Sequence, residues 1–120
     1  MNNYAPLTNE RPNIAVSTTK GIMFLCEKEI LYCQAEGNYT HIYLKGAVKN
    51  KITVAKSLNR VLESLHSEFF ARIHNSYVIN LLHVISYRNG DKNLVVMVDG
   101  ENLPVSRARK ESFMKRFKII

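Results

Sequence analysis

What the chain lacks narrows it first. It has no tryptophan, two cysteines and three prolines in 120 residues, and no hydrophobic run near the roughly 18 residues that a membrane-spanning helix requires. Cys26 and Cys33 lie on apolar-rich segments without a CxxC spacing, so they read as free buried thiols rather than a disulfide or a metal site. No two of His41, His66, His74 and His83 stand at a metal-ligand spacing such as i, i+4, and no zinc site is expected. There is no P-loop, no glycine fingerprint of a dinucleotide fold, no nucleophile elbow and no HExxH, so the enzyme classes that carry such motifs receive no support. The opening MNNYAPLTNERPN lacks the basic-then-apolar pattern of a secretory signal, which leaves a cytoplasmic protein as the expectation.

Acid is scarce as well. Lys and Arg number 17 against 10 Asp and Glu, for a net charge of +7 and a pI near 9.6. Residues 38–60 carry Lys45, Lys49, Lys51, Lys56 and Arg60 with no acid, and residues 104–120 carry Arg107, Arg109, Lys110, Lys115, Arg116 and Lys118 against Glu111. Each block nets +5, and the three remaining stretches net −1 each. Two concentrated patches suit a polyanion, either nucleic acid or an anionic membrane surface, although solvated faces that keep a protein soluble have the same composition.

What is present organises as one domain of many short strands. Residues 1–13 are polar, contain Pro6 and Pro12 and show no period, which reads as a flexible tail or the remnant of a linker before a domain over 14–120. Ile14–Thr18 and Ile22–Leu25 flank a turn at Lys20 and Gly21, and Glu27–Glu29 make a polar break. Ile30–Glu36 alternates as a half-buried strand, with Ile30, Tyr32 and Gln34 on one side and Leu31, Cys33 and Ala35 on the other. After turn chemistry at Gly37 and Asn38, the apolar-facing Thr40, Ile42 and Leu44 alternate with Tyr39, His41 and Tyr43. A basic loop and a short strand at Ile52–Val54 follow.

Leu58, Val61, Leu62 and Leu65 then fall at i, i+3, i+4 and i+7 behind Ser57, which predicts an N-capped amphipathic helix of about three turns. Val84–Tyr87, Leu94–Val98 and Asn102–Val105 read as three more strands, with hairpin signals at Asn89–Asp91 and Asp99–Gly100. Pro104 closes the last strand, and Ser106 stands where a cap belongs for a final helix whose Phe113, Phe117 and Ile120 share a face. Strands and helices never alternate regularly, so the fold class is mainly β: small, mostly antiparallel sheets with short helices, including one at the C-terminus.

Two stretches concentrate the chemistry. In Phe70–Asn80, three consecutive polar residues, His74, Asn75 and Ser76, interrupt the apolar Ile73, Tyr77 and Ile79. Such a triplet is a tight turn that satisfies its own backbone or a platform that presents side chains. His74 and Ser76 share the spacing of a base and a nucleophile, but no orienting acid is specified. In the terminal helix, Arg107, Arg109 and Lys110 occupy the first turn, where the macrodipole penalises each cation by a few tenths to about 1 kcal/mol. A helix that only had to fold would gain by avoiding them, whereas phosphates favour cations beside free N–H groups.

EGNYTHIYL (36–44), SLNRVLESL (57–65), FFARIHNSYVIN (69–80), the Asp99–Gly100 turn and LPVSRARKESF (103–113) follow an order that resembles the LytTR family of bacterial DNA-binding domains. The resemblance covers about residues 14–118, and the F-x-R-x-H-x-S-Y-x-x-N pattern followed by V-S-R is its most specific part. It implies an elongated fold and a transcriptional regulator without catalytic role or cofactor. It implies loop residues entering successive major grooves, repeated duplex sites occupied by dimers or paired copies, and a receiver or sensor partner. The family's DNA-reading positions fall on His41, Asn75 and Arg107. His41, on the polar face of its strand, can donate to a phosphate or base, or be structural. Asn75 can pair with adenine or cap its own turn, and Arg107 can fork onto guanine or a phosphate. Asn38, Tyr39, Lys45, Lys56, Arg109 and Lys110 are candidate phosphate contacts, while His74, Ser76, Tyr77 and Asn80 read as framework. An RNA- or membrane-binding module is the alternative that charge alone allows, with Phe113, Phe117 and Ile120 as its apolar face.

Overall fold

The computed structural model describes residues 10–46 and 50–120. Among the described residues, ten strands form three antiparallel sheets. β1 (Ile14–Thr18) and β2 (Gly21–Leu25) make a hairpin. β3 (Ile30–Glu36), β4 (Tyr39–Leu44), β5 (Asn50–Val54), β6 (Phe70–His74) and β7 (Tyr77–Asn80) form the central sheet in the order β5-β4-β3-β7-β6. β8 (Val84–Arg88), β9 (Leu94–Met97) and β10 (Asn102–Pro104) form the third, in the order β10-β9-β8. Helix α1 (Leu58–Glu63) links β5 to β6, and α2 (Arg107–Met114) follows β10. The mainly β class with short helices is therefore observed, in a body of 42 × 32 × 24 Å.

The central sheet separates two cores. Val16 and Leu25 of the hairpin and Leu58, Val61 and Leu65 from and just beyond α1 pack with Ile30, Cys33, Ile42, Ile52 and Val78. Val95, Met97 and Leu103 of the third sheet and Phe113 of α2 pack with Leu31, Tyr32, Ile73 and Ile79. Both faces being covered, β3 is buried on both sides along most of its length, not half-buried as its alternation suggested. The register between β3 and β4 slips between Ile30 and Tyr32. The slip puts Leu31 and Tyr32 in the same core and breaks the expected grouping of Tyr32 with Ile30.

The caps decide where the helices begin and end. Ser57 accepts from the Arg60 amide at 3.2 Å, as its position predicts. α1 then closes after six residues, because the amides of Ser64 and Leu65 tighten onto the carbonyls of Val61 and Leu62; Leu65 still reaches the core from beyond the helix. Ser106 makes no side-chain cap bond. Its backbone amide donates instead to the Ile73 carbonyl at 2.8 Å, which pins the start of α2 to β6. Of the three aromatic and aliphatic residues expected on one face of α2, only Phe113 is buried; Phe117 is 42% exposed and Ile120 fully so, since the helix stops at Met114.

Of the expected tail over 1–13, residues 1–9 lie outside the described residues. Residues 10–13 dock on the domain: Asn13 donates its amide to the Leu25 carbonyl and exchanges two 2.8 Å hydrogen bonds with Glu27. Glu27, in the expected polar break, is buried and also accepts from the backbone and ring of His66.

Candidate nucleic-acid interface

Five connections meet at one end of the central sheet. Gly37 and Asn38 turn β3 into β4, with Gly37 at φ +58°, a left-handed conformation that favours glycine. Asn75 and Ser76 turn β6 into β7. The Ala35 amide donates to the Ser76 carbonyl at 2.9 Å, which holds these two turns side by side. The Thr40 hydroxyl donates to the Lys56 carbonyl at 2.7 Å and brings in the β5–α1 connection. The Ser106 amide on Ile73 adds the β10–α2 link, and the Val105 amide on the Asn93 carbonyl adds the β8–β9 loop.

The β6–β7 turn is satisfied from behind, which frees its central side chain. His74 Nδ1 accepts from the Ser76 amide at 3.0 Å. The Arg72 guanidinium donates Nε to the His74 carbonyl at 2.8 Å, Nη2 to the Asn75 carbonyl and Nη1 to Asn59 Oδ1 of α1. Asn75 is exposed, and its amide has no hydrogen-bond partner among the described residues. Of the two readings of the triplet, both apply: His74 and Arg72 cap the turn, and Asn75 is presented by it. His74 therefore spends on a backbone amide the lone pair that a general base would need.

The other expected site residues divide. Asn38 and Tyr39 are exposed on the β3–β4 turn, Tyr39 by 53%. Lys56 is exposed beside them, and Arg107 is exposed at the first position of α2. Arg109 is half-buried near Arg72, whose guanidinium is pushed below its ordinary range by burial and then by the Arg109 charge. Lys110 lies with its ammonium 5.8 Å from the centre of the Tyr87 ring, a cation–π contact. Lys45 stands at the other end of β4, where its amide donates to the Glu29 carbonyl. The six-residue length of β4, at about 3.3 Å per residue, separates it from Tyr39.

His41 differs from the donor expected on an open polar face. Its side chain is 11% exposed; Nδ1 lies 2.7 Å from Thr53 Oγ1 and Nε2 2.6 Å from Glu36 Oε1. β4 has a hydrogen-bonded neighbour on each side, so the residues opposite His41, Gln34 on β3 and Thr53 on β5, close around the ring. A tautomer protonated at Nε2 satisfies both contacts, donating to Glu36 and accepting from the Thr53 hydroxyl. The hydrogen bond from His41, helped by the charge of Lys51, holds the exposed Glu36 carboxyl below its ordinary range.

Comparison with known proteins decides the family. The model of the LytTr DNA-binding domain matches residues 20–118. The chain belongs to the LytTR family. It is similar to the sensory transduction protein LytT of Bacillus subtilis, at 28% identity over 88% of this chain and 44% of that protein. It is also similar to the transcriptional regulatory protein LytR of Staphylococcus aureus, at 31% identity over 68% of this chain and 32% of that protein. The chain thus spans less than half the length of these curated relatives. The fold matches a solved LytTr DNA-binding domain of a methyl-accepting/DNA response regulator from Bacillus cereus, with a TM-score of 0.74, 22% identity, and coverage of 92% of this chain and all of that one. The LytTR domain is a DNA-binding unit, not a catalytic one.

Within this LytTR domain the residue that the sequence reading passed over is Arg72. Its signal was present: a cation two residues before His74, on a strand otherwise read as core, has to find partners or an exit to solvent. Among the described residues no helix is long and apolar enough to cross a membrane, and no cluster of His, Cys, Asp or Glu could hold a metal ion.

Proposed function

We propose that this LytTR domain binds duplex DNA sequence-specifically through the connected end of its central sheet, as the output module of a cytoplasmic transcriptional regulator. The observation that carries the reading is the joining of the Asn38 and Asn75 turns by the Ala35–Ser76 hydrogen bond, with exposed Arg107 and Lys56 on the adjoining connections. Asn75 is free to pair with adenine N6 and N7, and Arg107 to fork onto guanine O6 and N7. Lys56, Arg109, Asn38 and Tyr39 grip flanking phosphates, which sets position while the bases set specificity.

His41 acts in this reading from behind the surface, fixing Glu36 and the end of the β3–β4 hairpin. Lys110 adds charge from its seat on Tyr87, and Lys45 contributes to the long-range field rather than to this contact. Turns of this size enter successive major grooves along one face of the duplex, and two copies on a repeated site double the contact. A receiver or sensor domain supplies the input signal in the whole regulator.

Selection from random duplexes tests the proposal. A recurring motif should emerge, and Arg107→Ala should weaken binding to it by about 1–3 kcal/mol while relaxing one base position. Salt-dependent binding without sequence preference would overturn specific readout.

A further inference from the structure

Beside the connected end, a groove of about 340 Å³ runs between α1, β6 and α2, lined by Arg72, Arg109, Arg116, Ser67, Ser112 and Phe113 among others. No carboxylate lines it, and none of the three arginines forms an ion pair with a described residue. Their roles differ. Arg116 is consumed by the fold, donating to the carbonyls of Phe70 at 3.1 Å and Ser67 at 2.7 Å, and it closes the groove at the far end. Arg109 is half-buried, and its guanidinium has no hydrogen-bond partner among the described residues. Arg72 is held rigidly by three of its five N–H groups, which leaves one on each terminal nitrogen to donate further.

Of the three guanidinium groups in this groove, those of Arg72 and Arg109 repel each other, and the repulsion is felt at Arg72. A fold that needed only stability would relieve it with an acid, which this groove does not contain. The chemistry that fits is an anion with two or more equivalent oxygens, taking one hydrogen bond or fork from each guanidinium. A phosphate is that anion, and the position of the groove next to Asn75 favours a phosphate of the duplex backbone over a free one.

We infer that one phosphodiester of bound DNA seats between Arg72 and Arg109, and that this contact sets the register at which Asn75 meets the bases. The inference rests on the DNA-binding reading above. Its mechanical basis is that the guanidinium receiving the phosphate is the one that holds the Asn75 carbonyl. Phosphate position and turn position are thereby fixed by a single planar group. Arg72 is a phosphate contact and a positioning residue together, while Arg109 is a contact alone.

Methylphosphonate scanning of the selected duplex, with the full chain, tests it. Neutralising the backbone one position at a time should reveal a phosphate whose loss weakens the wild type by about tenfold. Arg109→Ala should lose similar affinity on the unmodified duplex, become insensitive to that one substitution, and show a salt slope lower by about 0.9, the value of one phosphate on duplex DNA. Arg72→Lys, which keeps the charge but not the fork, should show the same insensitivity together with relaxed preference at the base read by Asn75. The Arg109 side chain has no hydrogen bond to lose among the described residues, so its variant carries the test even if Arg72→Lys is poorly folded. Selective binding with no backbone position sensitive to Arg109 would overturn the inference and leave the DNA reading standing. Absence of selective duplex binding by the wild type would sink both. Inorganic phosphate gives the third arm: if millimolar phosphate shifts the Arg72 and Arg109 side-chain resonances equally with and without bound duplex, the groove is a free-anion site and the duplex seat is wrong.

Discussion

The two ends of the central sheet are built from the same kinds of residue and use them in opposite ways. At one end Asn80 and His83 turn inward: Asn80 donates to the Ile30 carbonyl at 2.9 Å and accepts from the Leu82 amide at 2.9 Å, and His83 Nε2 lies 2.6 Å from the Lys28 carbonyl. At the other end Asn38 and Asn75 stand in solvent, and the backbone around Asn75 is satisfied by Arg72 and His74 instead. An asparagine at the first end is structural because backbone groups depend on it. At the second it is available because other residues have taken that task.

Substitutions at the two ends should therefore separate stability from binding. The largest effect on stability belongs to Asn80→Ala, which strands the buried Ile30 carbonyl and leaves the amide of the exposed Leu82 to water. Denaturant unfolding should show a loss of about 1–3 kcal/mol, with the selected motif unchanged for the protein that remains folded. Asn75→Ala should do the reverse. Its stability should stay within about 0.5 kcal/mol of the wild type, while duplex affinity falls by about 1–3 kcal/mol and discrimination at one base disappears. A loss of stability comparable to that of Asn80→Ala would erase the distinction between the ends.

Lys56→Ala and Lys45→Ala sharpen the comparison with a smaller effect. The first should lower the slope of log K against log salt by about 0.9, and the second should leave it nearly unchanged. Equal slopes would mean that both ends touch DNA. The smallest effect is a pH dependence. Because the folded-state pKa of Glu36 is depressed by His41, the contact contributes stability above the unfolded carboxyl's ordinary value near 4.3, and that contribution is lost as pH falls through the lower folded value. Glu36→Gln should flatten thermal stability across that acid window, and an unaltered profile would show that His41 and Glu36 are not coupled in solution.

How far the sequence could be read follows from how local each feature is. The strands, the turn at Gly37–Asn38 and the Ser57 cap depend on neighbours within a few residues, so alternation and turn chemistry located them. The exposed Asn75 was also legible, because three polar residues between apolar anchors must turn. His41 was not: its enclosure depends on Thr53 across the sheet and on Glu36 beyond the hairpin turn, and a strand's own alternation does not report what its neighbours cover. The basic block over 38–60 is divided for a related reason. It folds back on itself through β4 and β5, so Lys45 and Lys56, close in sequence, end on opposite ends of the sheet. Arg72 needed knowledge of α1 and of the turn it holds, both of which are set by tertiary packing.

The slip in β3 between Ile30 and Tyr32 has a further consequence. It acts as a phase setting for everything downstream on that strand. Were the same residues to alternate without the slip, Gln34 and Glu36 would point into the opposite layer, and the carboxylate that now meets His41 would face the hairpin core. Deleting Leu31 would remove the slip and leave Gln34 and Glu36 on their present face, whereas adding one residue between Tyr32 and Cys33 would rotate the approach to Gly37 and Asn38 by half a turn, and the surface facing the partner would lose its alignment although none of its own residues had changed.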